Sequence, residues 1–318
     1  MEQFSIFQVL AARERIGKLV HRTPVLTSHT FDQRTHTRTF FKCENFQRGG
    51  SFKIRGALSR MTLLSDEEKK RGVVAFSSGN HAQGVAMAAR DLGISATIVM
   101  PTDAPHPKSD ATAGYGATIV WYDRDHDDRE AIASDLAERE GRTLIPPFDD
   151  HQVMAGQGTA ALELLEEIEH LDVLLAPVGG GGLLSGCSTV AQAKNPGIQI
   201  FGIEAEAAND TFLSFQSGQR VSIPVPATIA DGMRNTAPGK LTFPVLQRNI
   251  QGVVLVSDEE ILEAMRFLLF RMKMLVEPTG AVGVAALLAG KVPVDGRRVG
   301  VILSGGNVDP EMLGRLTQ

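Results

Sequence analysis

The sequence predicts an α/β fold of two lobes, each built on an open, parallel-rich sheet with helices on both faces. Three observations point there. Short, almost unbroken apolar runs recur along the chain and alternate with helical patterns, as a parallel sheet covered on both sides requires. Several runs end in a glycine or small polar turn, the form ligand loops take at the carboxyl ends of strands in an open sheet. The length of 318 residues is enough for a large core and two lobes.

Residues 5–20 read as an amphipathic helix with Ile6, Val9, Leu10, Ile16, Leu19 and Val20 apolar, and Thr23-Pro24 stops it. Residues 39–43 read as a strand and 56–64 as a helix, and Ser65 with Glu68 makes a capping box that opens a short helix. Strand 73–76, an alanine-rich helix 82–91, strand 96–100 closed by Pro101, strand 117–122 and a charged helix 127–140 follow. Residues 72–142 are expected to form a small lobe inserted into a larger one made of 1–66 and 148–318, with 143–147 crossing back. In the second half, 159–169 reads as a helix, 172–178 as a buried strand, 183–193 as a helix, and 198–203 and 253–256 as strands. Ser257 with Glu260 caps a helix running to Met274, and 298–303 is the last strand. Residues 207–240 lack periodicity and read as long surface loops.

Hydrophobic residues make up 43 % and charged residues 22 %, ordinary for a soluble globular protein. A net charge of −5 argues against a nucleic-acid partner. Cys43 and Cys187 are too few for a disulfide framework or a metal knuckle and read as core residues. The first twenty residues mix acidic and basic side chains, so no signal peptide is expected. No stretch approaches ~18 unbroken apolar residues, so no membrane span is expected and the cytoplasm is the expected compartment.

Chemistry concentrates in four stretches. Ser51-Phe52-Lys53-Ile54-Arg55-Gly56 follows the Gly49-Gly50 turn. Alone, its lysine would read as a solvated surface residue. Ser77-Ser78-Gly79-Asn80-His81, Gly179-Gly180-Gly181-Gly182 and Ser304-Gly305-Gly306-Asn307 change that reading. Four glycines ahead of a helix leave their N–H groups open at its positive end, a site for a phosphate dianion. A plain strand–helix turn needs only one or two. No Gly-Lys-Ser/Thr closes the run, so it is no P-loop. One lysine, a phosphate cradle and two Ser/Asn turns are what a pyridoxal phosphate site requires.

Taken together, these stretches resemble the fold-type II pyridoxal-phosphate enzymes, in the branch of the serine racemases, the serine/threonine dehydratases and the L-threo-3-hydroxyaspartate ammonia-lyases. The likeness runs from Thr23-Pro24-Val25-Leu26 to Ser304 and Asp309. It includes Phe41-Lys42-Cys43-Glu44, Ala155-Gly156-Gln157-Gly158-Thr159, Ile229-Ala230-Asp231-Gly232 and Glu277-Pro278-Thr279. The resemblance implies the two-lobed fold of the tryptophan synthase β-subunit, with 72–142 mobile over the site. It implies that Lys53 carries the cofactor as an imine and takes the Cα proton of the substrate. Phe52 would pack beside the ring, although it reads equally well as core. Gly179, Gly180, Gly181 and Gly182 would hold the phosphate, and Asn80 would reach the 3′ oxygen. Ser77, Ser78, Gly79, Asn80 and His81 would grip the substrate carboxylate. Ser304 would face the pyridine nitrogen; a hydroxyl there makes a weaker electron sink than an aspartate would, which suits α,β-elimination.

Ser78 matches the residue that serves as acid and base opposite the lysine in serine racemase, although a serine there also reads as a helix N-cap. Glu204, Ala208 and Asp210 match a divalent-cation site for Mg²⁺, Ca²⁺ or Mn²⁺; on their own they would read as solvated. His81, Arg129 and Asn235 align with positions that contact a second substrate carboxylate. Phe148 departs from the serine racemase pattern, which has an asparagine there, and looks like the dehydratases. A homodimer is a further implication. The regulatory extension of biosynthetic threonine deaminases is missing from the sequence, so isoleucine feedback is not expected.

The expected activity is elimination from a β-hydroxy amino acid (L-threo-3-hydroxyaspartate, L-serine or L-threonine) to a 2-oxo acid and ammonia. Racemisation of serine, or of an aspartate-type substrate, is the alternative. A β-replacement synthase and a non-catalytic binder of a phosphate ligand stand further off.

Overall fold

The computed structural model describes residues 3–104, 106–124 and 126–317. Its strands are β1 (Val25–Leu26), β2 (Arg38–Cys43), β3 (Val73–Phe76), β4 (Ala96–Pro101), β5 (Thr118–Tyr122), β6 (Thr143–Leu144), β7 (Val173–Pro177), β8 (Gln199–Ala205), β9 (Gly252–Val256) and β10 (Arg298–Leu303). Helices α1 (Ile6–Ile16), α2 (His29–Thr35), α3 (Lys53–Met61), α4 (Asp66–Arg71), α5 (Asn80–Leu92), α6 (His106–Gly114) and α7 (Arg129–Glu140) occupy the first half. The second half holds α8 (His151–Glu167), α9 (Gly182–Lys194), α10 (Asp210–Ser217), α11 (Thr242–Asn249), α12 (Asp258–Phe270), α13 (Pro278–Leu288) and α14 (Pro310–Leu316).

Two sheets result, one of order β1-β2-β10-β7-β8-β9 and one of order β5-β4-β3-β6. Among the named strands only the β1–β2 pairing is antiparallel; the others are parallel. Alternation along the strands divides the side chains of the large sheet between two cores. Phe41, Leu175 and Val301 pack under α2, α12 and α13, while Phe40, Leu174 and Ile302 pack under α8, α9 and α11. In the small sheet Val73, Ala75, Ile98 and Met100 meet α3 and α5, whereas Val74, Phe76 and Val99 meet α7.

Helix α3 is the joint between the halves. It packs against α5 on one side and α8 on the other, and the second crossing is very close. A Cβ added at Gly156 of α8 would lie 2.2 Å from the Arg55 carbonyl oxygen, so only glycine allows that approach. A buried charge cluster fixes the same junction. The Arg55 guanidinium bonds Glu44 at 2.7 and 2.8 Å and Glu163 at 2.8 and 2.9 Å. Lys42 Nζ bonds Glu163 at 2.7 Å, and the Thr23 hydroxyl donates to Glu44 at 2.6 Å. All four charged side chains are buried, and two cations balance two carboxylates.

Several expectations need correction. Strand β6, in the stretch expected only to cross back, pairs with β3, so the small sheet runs to Leu144 rather than ending near 142. The helix expected over 159–169 starts at His151, because Gly156 and Gly158 serve close packing rather than a loop. The helix expected from 56 begins at Lys53 itself, and the helix expected to reach Met274 ends at Phe270. Within 207–240, α10 forms because Glu204 accepts the N–H groups of Thr211 and Phe212, a cap supplied from the preceding strand. No described helix is long and apolar enough to cross a membrane.

Candidate active site

The parallel strands β2, β7, β8 and β10 deliver their carboxyl ends to one edge of the large sheet, where the loops after them meet. The Lys53 loop is tied to the Ser304 loop. Phe52 N–H donates to the Ser304 carbonyl at 3.1 Å, Ser51 bridges to Gly305, and Gly306 N–H donates to the Gly50 carbonyl at 2.8 Å. Lys53 Nζ donates to the Pro147 carbonyl at 2.9 Å and lies 5.2 Å from the centre of the Phe52 ring. Burial pulls its amine down to about 8, against the opposing pull of Glu277. A substantial fraction of that amine is therefore neutral near pH 8.

After β7 the chain makes the glycine loop. Gly181 has φ +91°, and the N–H groups of Gly179, Gly180, Gly181 and Gly182 find no acceptor among the described residues. Behind them the loop is crowded. A Cβ would lie 2.6 Å from the Gly232 carbonyl oxygen at Gly179, 2.3 Å from the Phe148 ring at Gly180 and 2.6 Å from Gln157 Oε1 at Gly182. Thr242 Oγ1 donates to the Gly180 carbonyl at 2.7 Å, and Asp149 accepts the N–H groups of Lys240, Leu241 and Thr242. The loop is thus held rigidly from one side while its N–H groups stay free at the start of α9. Ser304 follows β10 with its hydroxyl buried and without a partner.

The small sheet contributes the turn after β3. Ser77 Oγ accepts Gly79 N–H at 3.1 Å, and the N-cap of α5 is Gly79, so Ser78 does not cap the helix. Asn80 Nδ2 donates to Glu277 Oε1 at 2.7 Å, and its Oδ1 accepts from Asn307 Nδ2 at 2.7 Å.

Residues 16–305 match the profile described as pyridoxal-phosphate dependent enzyme. The chain belongs to that family. It is 52 % identical over 311 residues to the L-threo-3-hydroxyaspartate ammonia-lyase of a Pseudomonas species, covering 98 % of each chain. It is 49 % identical over 303 residues to the serine racemase of Schizosaccharomyces pombe, covering 95 % of this chain and 94 % of that one. Among solved structures, maize serine racemase superposes with a TM-score of 0.95 at 40 % identity, covering 99 % and 97 % of the two chains.

The residues present suit the cofactor of a pyridoxal-phosphate enzyme. Lys53 offers an amine, the glycine loop offers unpaired N–H groups to an anion, and Ser304 offers a buried hydroxyl with no other partner.

The remaining predicted residues are distributed as follows. The Arg129 guanidinium lies 5.6 Å from the centre of the ring of Phe76, the residue before Ser77. The Asn235 side-chain nitrogen is buried without an acceptor. His81 differs from expectation. It is 2 % exposed, and burial with Lys53 nearby holds it down to about 3, so the ring is neutral. Its Nε2 lies 2.9 Å from the Ile145 carbonyl and must carry the ring hydrogen, so Nδ1 is a bare acceptor that cannot donate to a carboxylate.

Glu204 is the last residue but one of β8, Ala208 is buried, and Asp210 opens α10. Both Asp210 carboxylate oxygens are buried without a partner. Burial pushes Asp210 up to about 7, and burial with Asp210 beside it pushes Glu204 well above its usual range. Two buried carboxylates with no protein cation between them are a hard-oxygen donor set suited to a divalent cation. No larger metal-type cluster occurs among the described residues.

Sequence reasoning missed Pro147, Asp149 and Thr242 as parts of this site. Their contributions are backbone acceptors or supporting bonds with no local signature.

Proposed function

We propose that this pyridoxal-phosphate enzyme is an ammonia-lyase. It converts a β-hydroxy amino acid to a 2-oxo acid and ammonia by α,β-elimination, with the water lost in the first stage regained in the second. The observation that carries the reading is the pairing of an amine of lowered proton affinity with an uncharged, unpartnered hydroxyl at Ser304. Bound, pyridoxal phosphate supplies an aldehyde for the Lys53 amine and a conjugated ring that withdraws electrons from Cα. Gly179 to Gly182 would hold its phosphate against the N-terminus of α9. Ser304 would give the ring nitrogen a neutral partner and so a moderate electron sink, favouring loss of a leaving group from Cβ. Asn80 would face the 3′ oxygen, and the N–H groups and hydroxyls of Ser77, Ser78 and Gly79 would bind the substrate carboxylate. Lys53 Nζ would take the Cα proton, and the Pro147 carbonyl orients that amine.

The substrates named for the relatives, 3-hydroxyaspartate among them, suggest the substrate class. Arg129, on the ring next to the substrate turn, favours a substrate with a second carboxylate. Glu204, Ala208 and Asp210 would hold a structural Mg²⁺. A homodimer in the cytosol completes the proposal, with sedimentation as the check on assembly. The direct test is release of 2-oxo acid from the stereoisomers of 3-hydroxyaspartate, serine and threonine, with chiral analysis of what remains. No ammonia without an added nucleophile would refute it.

A second reading, racemisation, is favoured by the Ser78 hydroxyl, which the fold does not use for capping. Ser78→Ala should then cut D-serine formation far more than elimination from L-serine, which loses one carboxylate contact. Equal loss of both would remove the opposite-face role.

A further inference from the structure

Gln157 lies in the second turn of α8 and is 1 % exposed. Its side-chain amide spans two parts of the site. Nε2 donates to the Pro147 carbonyl at 3.4 Å, and the same oxygen accepts Lys53 Nζ at 2.9 Å. A Cβ added at Gly56 would lie 3.1 Å from Nε2, so this end of the amide packs on α3, three residues after Lys53. A Cβ added at Gly182 would lie 2.6 Å from Oε1, so the other end abuts the back of the glycine loop. There Oε1 is buried with no hydrogen-bond partner among the described residues.

We propose that Gln157 is a positioning residue: its amide N–H holds the Pro147 carbonyl in place as the acceptor that orients the Lys53 amine. This rests on the reading of Lys53 as the cofactor-bearing amine. A carbonyl oxygen has two lone pairs and can hold both donors at once. Among the described residues, Gln157 and Lys53 are the only donors it has. Whenever the Lys53 nitrogen turns toward a ligand, Gln157 alone keeps the carbonyl where the amine must return. The chain itself does little to fix that oxygen, because Pro146 and Pro147 carry no N–H to tie the stretch down. Stability does not account for the amide. A bond of 3.4 Å returns little, whereas a buried oxygen without a partner is costly, and an apolar side chain of the same length would avoid that cost.

The test compares Gln157→Met with the native sequence, both as the full chain freed of cofactor. In a circular-dichroism melt the variant should match or exceed the native midpoint, because the unpaired oxygen is gone. On adding pyridoxal 5′-phosphate, visible absorbance should form about tenfold more slowly, as expected when a reacting group loses its fixed orientation. Pyridoxal, which lacks the phosphate, should be slowed by the same factor, since the defect lies at the amine and not at the glycine loop. In the loaded enzyme kcat should fall while KM holds. Gln157→Leu carries the same expectations and keeps the test alive if the methionine variant fails to fold. Native rates in a folded variant, or slowing confined to the phosphate-bearing aldehyde, would overturn the inference alone. Slowing that comes with a lowered midpoint would mark a packing role and overturn it too. Absorbance that never forms in the native chain, or that still forms in Lys53→Ala, would overturn the functional reading and the inference with it.

Discussion

Replacing Glu163 by glutamine removes one of the two carboxylates that neutralise the buried cluster beneath Lys53. Glu163 accepts from Lys42 Nζ at 2.7 Å and from both Arg55 terminal nitrogens at 2.8 and 2.9 Å, so it serves both cations. Glu44 bonds Arg55 and the Thr23 hydroxyl but not Lys42. The variant therefore leaves two buried cations facing one carboxylate, and Lys42 loses its ion pair while keeping the Thr23 carbonyl at 2.7 Å. Breaking such a pair from one side costs about 3–5 kcal/mol. At roughly 2 cal/mol/K of unfolding entropy per residue, a chain of 318 residues should lose about 4–8 °C in thermal midpoint. The assay is a circular-dichroism melt at pH 7, run beside the double variant Glu163→Gln/Lys42→Met, which restores charge balance and should recover most of the loss. Acid gives a second signature. Burial would raise the Glu163 carboxyl, but Arg55 and Lys42 hold it below its usual 4.5. A depressed carboxyl contributes its stability above the unfolded value and loses it as pH falls. The gap between native and variant chains should thus narrow below pH 4.5. An unshifted melt at pH 7, or a double variant no better than the single, would refute the reasoning.

Gly180→Ala puts a Cβ 2.3 Å from the Phe148 ring and should weaken cofactor retention roughly tenfold, an overpacking cost of ~1–3 kcal/mol, read by loss of visible absorbance on dialysis. His81 should show no titration between pH 5 and 8 in proton NMR, its ring signals being assigned by their absence in His81→Gln, since its neutral form persists down to about 3. Added Mg²⁺ should raise the thermal midpoint of the EDTA-treated native chain and leave that of Asp210→Ala unchanged, as expected if the two unpartnered Asp210 oxygens hold the ion.

The parallel sheets were readable because their inner strands are buried on both faces and so are written as apolar runs. The glycine loop and the Ser304 turn were readable because each directly follows such a run. Other parts left no local trace. Helix α13 (Pro278–Leu288) is small and apolar all round, with no polar face to mark a period. The first turns of α8 carry Gly156 and Gly158, which imitate a loop and instead admit Arg55 and Gly186 from neighbouring helices. The site's supporting bonds span long separations: Lys53 to Pro147 is 94 residues, Thr242 to Gly180 is 62, and Asn80 to Glu277 is 197. Periodicity cannot report such pairings. His81 was given a carboxylate contact by resemblance alone, whereas here it is buried with its Nε2 on the Ile145 carbonyl.

The stretch that leaves the small sheet carries more than a chain crossing. Ile145 N–H is still bonded to Val74 of that sheet, and its carbonyl receives His81. Two residues on, the Pro147 carbonyl receives the Lys53 amine, and the next side chain, Phe148, lies over the glycine loop. A displacement of the small sheet therefore pulls on a short tether whose far end grips the reactive amine and the anion cradle together. Opening the cleft to exchange ligands and loosening the chemical centre would then be a single mechanical event.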